Sequence, residues 1–439
     1  LPEYALANLP RYTSYPPANR FTTEVNARDA ASAMAALPDG SSISLYVHIP
    51  FCKKLCWYCG CHTSVPTVAD PVEPYLRALA REMQLVADQI GGRSTVSHLH
   101  FGGGSPDILT ADQVDFLMTT LRRSFRFDAD AEIAAELDPR GASDEVVRAF
   151  AANGLTRASF GVQVLDPEVQ ARINRIQPRR VVEQAIDRLR RAGVRALNLD
   201  LMYGLPGQTG EHIEEAASFA ANQDADRVAV FGYAHVPWFK KHQNAIDADS
   251  LPGGEDRFRQ AETAANVLVR AGYVPVGFDH YASPEDSLVK ADRAGRLRRN
   301  FQGYTDDNAD GLIAFGASAI SMLPALAWQN TTDTAAYRKS LEAGVAPVVR
   351  GMEISAEDRR IGKIIEQILC RFEADIPADL RIEACPVLAR LEADRLVSWS
   401  GNHLAVTDRG RPYVRNIAAA FDPDLRRIEK ASARHSLAV

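Results

Sequence analysis

The chain has 439 residues, 46% of them hydrophobic and 24% charged, with a net charge of −6. That length predicts one large domain with an appendage, and the acidic balance excludes a global basic field for nucleic acid or an anionic membrane. No apolar stretch approaches the roughly 20 residues that span a bilayer, and the first residues lack the charged-then-apolar plan of a secretory signal, so a cytoplasmic protein is expected. A Pro-rich arm occupies residues 1–40. Beyond it, β-type runs at 44–49, 97–101, 131–135, 157–161, 196–202 and 227–231 alternate with amphipathic helical segments at 74–88, 111–125, 143–153, 180–192 and 210–222. Strand followed by helix, repeated, is the signature of parallel strands with right-handed crossovers. A further helix over 254–271 leads to an apolar run at 273–278. Six β/α units, rather than eight, predict an α/β fold built on a partial (βα)6 barrel, with a doubly wound open sheet as the alternative. The barrel and its extension are expected over 41–350. From 351 to 439 the pattern changes to helices at 357–372 and 382–393 and a hairpin within LVSWSGNHLAVTDRGR, followed by a helix. That reads as a small, mainly helical, winged-helix-like C-terminal domain.

Cysteine use is lopsided. Cys52, Cys56, Cys59 and Cys61 stand within one stretch, whereas Cys370 and Cys385 lie alone and read as small buried hydrophobes. This is the usage of a reducing compartment with metal or redox chemistry, not of a disulfide scaffold. A zinc centre would usually draw on a second Cys or His pair farther along, and no second CxxC exists. CxxxCxxC suits an iron–sulfur cluster, with three thiolates on one loop matching three corners of a cubane. GGGSP, after the run HLHF, lets the backbone approach a ligand closely and expose its N–H groups. It is neither a phosphate loop nor a dinucleotide fingerprint. Other polar residues also fall at strand ends: Glu136 after AEIAA, Gln163 after ASFG and YGLP after LNLDLM. In parallel α/β folds that edge holds the active site.

Cysteine loop and glycine stretch together resemble the radical S-adenosylmethionine enzymes. PRYTSYPP, YVHIPFCKKLCWYCGC, ELDPR, FGVQ, NRIQ, LDLMYGLPGQT, YAHVP, RNFQGYT and GASAISM are similar, within that superfamily, to the bacterial oxygen-independent coproporphyrinogen III oxidases. The resemblance covers nearly the whole chain. It implies oxidative decarboxylation of two propionates of coproporphyrinogen III to vinyl groups, by a 5′-deoxyadenosyl radical formed at a [4Fe-4S] cluster. Cys52, Cys56 and Cys59 then match the cluster ligands, leaving Cys61 a neighbour. Tyr46, Gly103, Glu136 and Ile320 match positions that bind the cluster-linked S-adenosylmethionine. Tyr58, Gly104, Ser105, Gln163, Arg175, Asp200 and Ala234 match those for a second molecule of it. Tyr46 and His48 share one strand face and form the expected catalytic wall. Arg11 and Arg299, inside family-like stretches, are candidates for the substrate's propionates. Implied partners are the porphyrinogen, a low-potential electron donor and an electron acceptor, and a monomer is expected. Two departures stand out: Ser105 where the family usually has Thr, and Asp306 where a second Thr is expected. The alternatives are a related branch (haem chaperone, methyltransferase or cyclopropane-forming enzyme) and a non-catalytic iron–sulfur or haem-binding protein.

Overall fold

Along the first strand, β1 (Ser42–Ile49), Leu45, Val47 and Ile49 point one way into a large apolar core, while Ser44, Tyr46 and His48 point the other way. The same alternation runs through β2 (Thr95–Gly103), β3 (Arg126–Leu137), β4 (Arg157–Gln163), β5 (Ala196–Tyr203) and β6 (Arg227–Gly232). Leu99, Phe101, Ala135, Phe160, Leu199 and Val228 face the helices. His100, Glu136, Ser159, Asn198 and Asp200 have the opposite parity and line the inside. The computed structural model describes Tyr4 and residues 9–66 and 71–428.

The strands β1 to β6 lie side by side in chain order, each parallel to the next. Helices Val72–Ile90, Ala111–Ser124, Asp144–Ala152, Arg179–Arg191 and Gly210–Asn222 fill the crossovers. A doubly wound sheet would reverse its winding partway across; this order is that of a barrel. Local signals place the helix ends. Thr110 and Gln113 form a capping box, Ser143 caps Val146 N–H, and Gly91 closes the longest crossover helix in the left-handed region at φ 61°.

The sheet is wider than the six runs read from sequence. Beyond β6, the run at 273–278 yields only β7 (Val274–Val276), which pairs antiparallel with β8 (His280–Ala282). A small hairpin, β9 (Arg298–Asn300) and β10 (Gly303–Thr305), stands apart. On the other side of β1 lie β11 (Gly311–Phe315), parallel to it, and the antiparallel β12 (Ile320–Leu323), β13 (Leu326–Asn330) and β14 (Val348–Glu353). These complete a twelve-stranded mixed sheet. The third strand also begins earlier than its apolar part, because Arg126 and Phe127 already pair with Thr95 and Val96.

The C-terminal region has its own apolar cluster, built on helices Ala356–Arg371 and Ala378–Ala393 and including Ile364, Ile368, Leu388 and Leu404. Its strands β15 (Glu373–Asp375), β16 (Val397–Ser400) and β17 (His403–Val406) form a three-stranded antiparallel sheet. The expected hairpin is β16–β17, and helix Val414–Ala419 follows it. Cys370 is buried as expected, but Cys385 is exposed; it sits on the outer face of its helix beside Pro386. The arm ties this region to the barrel: Tyr12 Oη bonds Asp422 at 3.0 Å, and Arg20 bonds Asp358 and Asp424 at 3.0 Å each. Among the described residues, no helix is long and apolar enough to cross a membrane.

Candidate active site at the barrel mouth

The cysteine loop starts where β1 ends and is strapped on every side. Cys52 N–H donates to Ser64 O at 2.9 Å, and Trp57 N–H donates to Ile173 O at 3.0 Å. Asn174 Nδ2 reaches Leu55 O at 2.8 Å. From the segment after β6, Lys240, His242 and Gln243 bond the carbonyls of Cys61, Cys59 and Tyr58 at 2.9, 2.7 and 3.0 Å. The three thiols have different neighbours. Cys52 Sγ lies 3.0 Å from Thr63 Oγ1. Buried Cys56 receives Arg175 Nη1 at 3.4 Å and Arg140 Nη2 at 3.5 Å. A hydrogen bond from the Cys61 thiol holds Cys59 down at about 7, against burial, with Lys240 and Arg175 helping.

Asp138 organises the cations. It accepts Arg140 Nη2 at 2.6 Å and Arg175 Nη1 at 3.0 Å, and its own N–H donates to Asp107 Oδ1 at 2.8 Å. Burial would raise the Asp138 carboxyl, but Arg175 and Arg140 together bring it to about 2. Among the described residues, no three His, Cys, Asp or Glu side chains converge as one metal ion would require. Three thiols spread along a loop, flanked by cations that offset thiolate charge, fit the wider, anionic iron–sulfur cube.

The glycine stretch departs from expectation in one respect. Its N–H groups are not open to a ligand: Gly103 N–H goes to Glu136, Gly104 N–H to Ile49 O at 2.8 Å and Ser105 N–H to Phe51 O at 2.9 Å. Only glycine fits there. Gly103 has φ 113°, and a Cβ would lie 2.6 Å from His48 Cε1; a Cβ at Gly104 would lie 2.5 Å from Phe51 O. The Ser105 hydroxyl is donated to Asp107, so it ties the stretch down rather than facing the mouth.

Inside the barrel the register brings Tyr46 beside His100 and His48 beside Gly102. Tyr46 Oη is 3.1 Å from His48 Nδ1, and His48 Nε2 is 2.9 Å from His62 O. Burial lowers His48 to about 4, which keeps the imidazole neutral. Glu136 is pushed up by burial, yet the His100 hydrogen bond at 3.0 Å and the Gly103 amide leave it below its ordinary value. Burial and then the Glu136 charge raise Asp200 to about 7, although Ser159 and Asn198 bond it at 3.1 and 3.0 Å. Gln163, at φ 65°, leaves Oε1 buried without a partner, and Arg175 does the same with Nε. Such orphaned atoms suit a polar ligand.

Tyr46, His48, Gly103 and Glu136 are thus brought together, as are Arg175, Tyr58 and the thiols. Ile320, on β12, is partly buried and packs against the cluster of Phe21, Ala327 and Ile354. Sequence reading missed His100, which stacks on Tyr46 with centroids 6.0 Å apart, and Phe301, edge-on to Tyr46 at 4.6 Å. The parity of β2 could have found His100. Phe301 comes from the distant loop between β9 and β10 and left no local signal.

Next to the mouth is a cavity of about 380 Å³ whose lining includes Phe231 and Ala234 together with Arg11, Arg257, Arg299 and Arg415. Arg299 is already paired with Asp279 at 3.2 Å and sandwiched between Phe278 and Tyr304. Arg11 Nη2 donates to Gly232 O at 3.0 Å, and among the described residues Arg11 has no carboxylate ion-pair partner. Burial lowers Arg415 to about 10, and the like charge of Arg11 adds to that. Asp306 lies away from the cavity, at the other end of the barrel, 3.8 Å from Arg227.

Residues 46–220 match the radical SAM superfamily model. The chain is 43% identical to the oxygen-independent coproporphyrinogen III oxidase of Bradyrhizobium diazoefficiens, over 99% of this chain and 98% of the relative. It is 39% identical to that of Paracoccus denitrificans, over 99% and 97%. The solved structure of coproporphyrinogen III oxidase (HemN) from Escherichia coli, a radical SAM enzyme, superposes with a TM-score of 0.90 at 36% identity, covering 94% of this chain and 97% of that one. On this evidence the chain belongs to the oxygen-independent coproporphyrinogen III oxidase family of the radical SAM superfamily.

Proposed function

We propose that this protein converts two propionates of coproporphyrinogen III to vinyl groups without oxygen, giving protoporphyrinogen IX for haem synthesis. The observation that carries the reading is a three-thiol loop at the barrel mouth beside a cavity lined by arginines. Cys52, Cys56 and Cys59 would hold a [4Fe-4S] cluster. When bound and reduced by one electron, the cluster and S-adenosylmethionine supply a 5′-deoxyadenosyl radical that takes a hydrogen atom from the propionate β-carbon, after which carbon dioxide and one electron leave. The Glu136 carboxylate suits the ammonium of that cofactor, and Tyr46 walls it. Gln163, Arg175, Asp200, Tyr58 and Ala234 would frame a second molecule, a reading supported by the orphaned Gln163 Oε1 and Arg175 Nε. Neutral His48 fixes the Tyr46 hydroxyl and carries no charge to perturb the radical site. Arg11 is the better propionate partner of the two predicted, since Arg299 is spent on Asp279. An electron donor of low potential, an electron acceptor, a monomeric state and a cytoplasmic location complete the reading.

Reconstituted protein, incubated anaerobically with dithionite, S-adenosylmethionine and coproporphyrinogen III, is expected to give 5′-deoxyadenosine together with protoporphyrinogen IX. 5′-Deoxyadenosine without the vinyl product would remove the substrate assignment and leave the superfamily chemistry standing.

A further inference from the structure

The sulfurs of the cysteine loop sit in unequal electrostatic settings. Cys52 meets a threonine hydroxyl, and Cys59 a thiol. Cys56 alone receives two guanidinium N–H groups, from Arg175 at 3.4 Å and Arg140 at 3.5 Å. Both cations share a single counter-charge, Asp138, so the surroundings of Cys56 keep a net positive charge. Arg140 is held rigidly for this. Its backbone N–H and its Nε both reach Asp138 Oδ1 at 2.9 Å, and Nη2 reaches Oδ2 at 2.6 Å. The Nε–Nη2 edge of the planar fork thereby lies on the carboxylate, and the second hydrogen of Nη2 is available to Cys56 Sγ at 3.5 Å. Arg140 touches none of the predicted S-adenosylmethionine positions in these contacts, whereas Arg175 is one of them.

We propose that Arg140 is a redox-tuning residue: by donating to Cys56 Sγ it raises the reduction potential of the cluster held there, easing the single-electron reduction that starts turnover. The inference rests on the proposed ligation by Cys56. Adding an electron makes the cluster more anionic, and N–H···S bonds and nearby positive charge favour the reduced form. Asp138 has the opposite influence, because it cancels part of that charge.

The test is an EPR-monitored redox titration of reconstituted holoprotein, without S-adenosylmethionine or substrate. Arg140→Gln, which keeps a polar side chain but loses the charge, is expected to lower the reduced-to-oxidised ratio at fixed potential on the order of tenfold. That corresponds to a shift of about 59 mV to the negative for one electron. Asp138→Asn is expected to shift the midpoint to the positive, and Arg140→Lys to recover part of the glutamine variant's loss. An unchanged midpoint in Arg140→Gln at wild-type iron content overturns the proposal. So does a shift of both Arg140→Gln and Asp138→Asn in the same direction, since that reports general loosening of the loop. Iron retained at the wild-type level by Cys56→Ser would instead overturn the ligation beneath it.

Discussion

Cys59 and Cys61 stand two residues apart, yet one is held near 7 and the other well above its ordinary value by the hydrogen bond between them. Cys61 therefore acts as donor to a neighbouring sulfur, and the loop presents three thiols for ligation. Cys61→Ser preserves a donor and is expected to keep the broad visible absorbance of the reconstituted cluster, while Cys59→Ser loses it; equal spectra would show that the ligand count is wrong. At this scale the sequence was informative where spacing alone sets geometry. Three cysteines on one loop and the shared face of Tyr46 and His48 needed no tertiary information. Arg140 could not be tied to the cysteine loop from sequence, because what fixes it is Asp138 and a sulfur 84 residues away. The glycine stretch was legible as a close approach but not in its polarity, since the partners that take up its N–H groups come from another strand and from Glu136.

Among the elements, helix Val72–Ile90 does more than pack. Its Glu82 is buried and accepts Gly316 N–H at 2.8 Å, Asn330 Nδ2 at 2.6 Å and Tyr337 Oη at 2.5 Å. Tyr75, two turns earlier on the same helix, donates to His48 O at 2.8 Å and accepts Ala317 N–H at 2.9 Å. Helix Val72–Ile90, β1 and the turn joining β11 to β12 are thus fastened to one another. Burial raises Glu82 to about 7. A carboxyl raised in the folded state binds its proton more tightly there, so its contribution to stability is full below about 4.5, its ordinary value, and is lost as pH climbs through about 7. Relative to Glu82→Gln, the wild type is expected to lose on the order of 1–3 kcal/mol between pH 5 and 8, measurable as a divergence of urea midpoints; parallel midpoints across that range would contradict it. Strands β1 to β6 were legible because their inner and outer faces differ in chemistry. The extension β11–β14 was not, because its strands are short and β13 ends in Gln329 and Asn330, which are buried by bonding the carbonyls of Ser318 and Gly316 in the turn before β12.

At the scale of the whole molecule, the arm is a strap. Thr22 bridges Gly351 at the sheet edge, Arg20 joins Asp358 to Asp424, and Arg415 donates to the carbonyls of Leu9 and Pro10. The C-terminal region and the arm thereby each contribute a cation to one cavity beside the barrel. Arg20→Ala removes a partly buried bridge to two carboxylates and is expected to cost about 1 kcal/mol of stability. It is also expected to raise KM for the porphyrinogen more than it lowers kcat, because Arg11 lies on the same arm. A fall in kcat at unchanged KM would separate the strap from substrate binding. Arg11 was legible in sequence through its family-like stretch, but the strapping was not, because Asp358, Asp424, Gly351 and Arg415 lie more than 300 residues along the chain from the arm.

The carbonyl latches on the cysteine loop have one more implication. Lys240, His242, Gln243 and Asn174 hold its backbone, and none of them needs iron to do so. Small zinc domains take much of their folding free energy from the metal; here side chains from two other segments also tie the loop down through its carbonyls. A loop ordered by its own protein contacts spends less of a ligand's binding free energy on fixing the backbone, so more of that energy is left for holding the ligand itself.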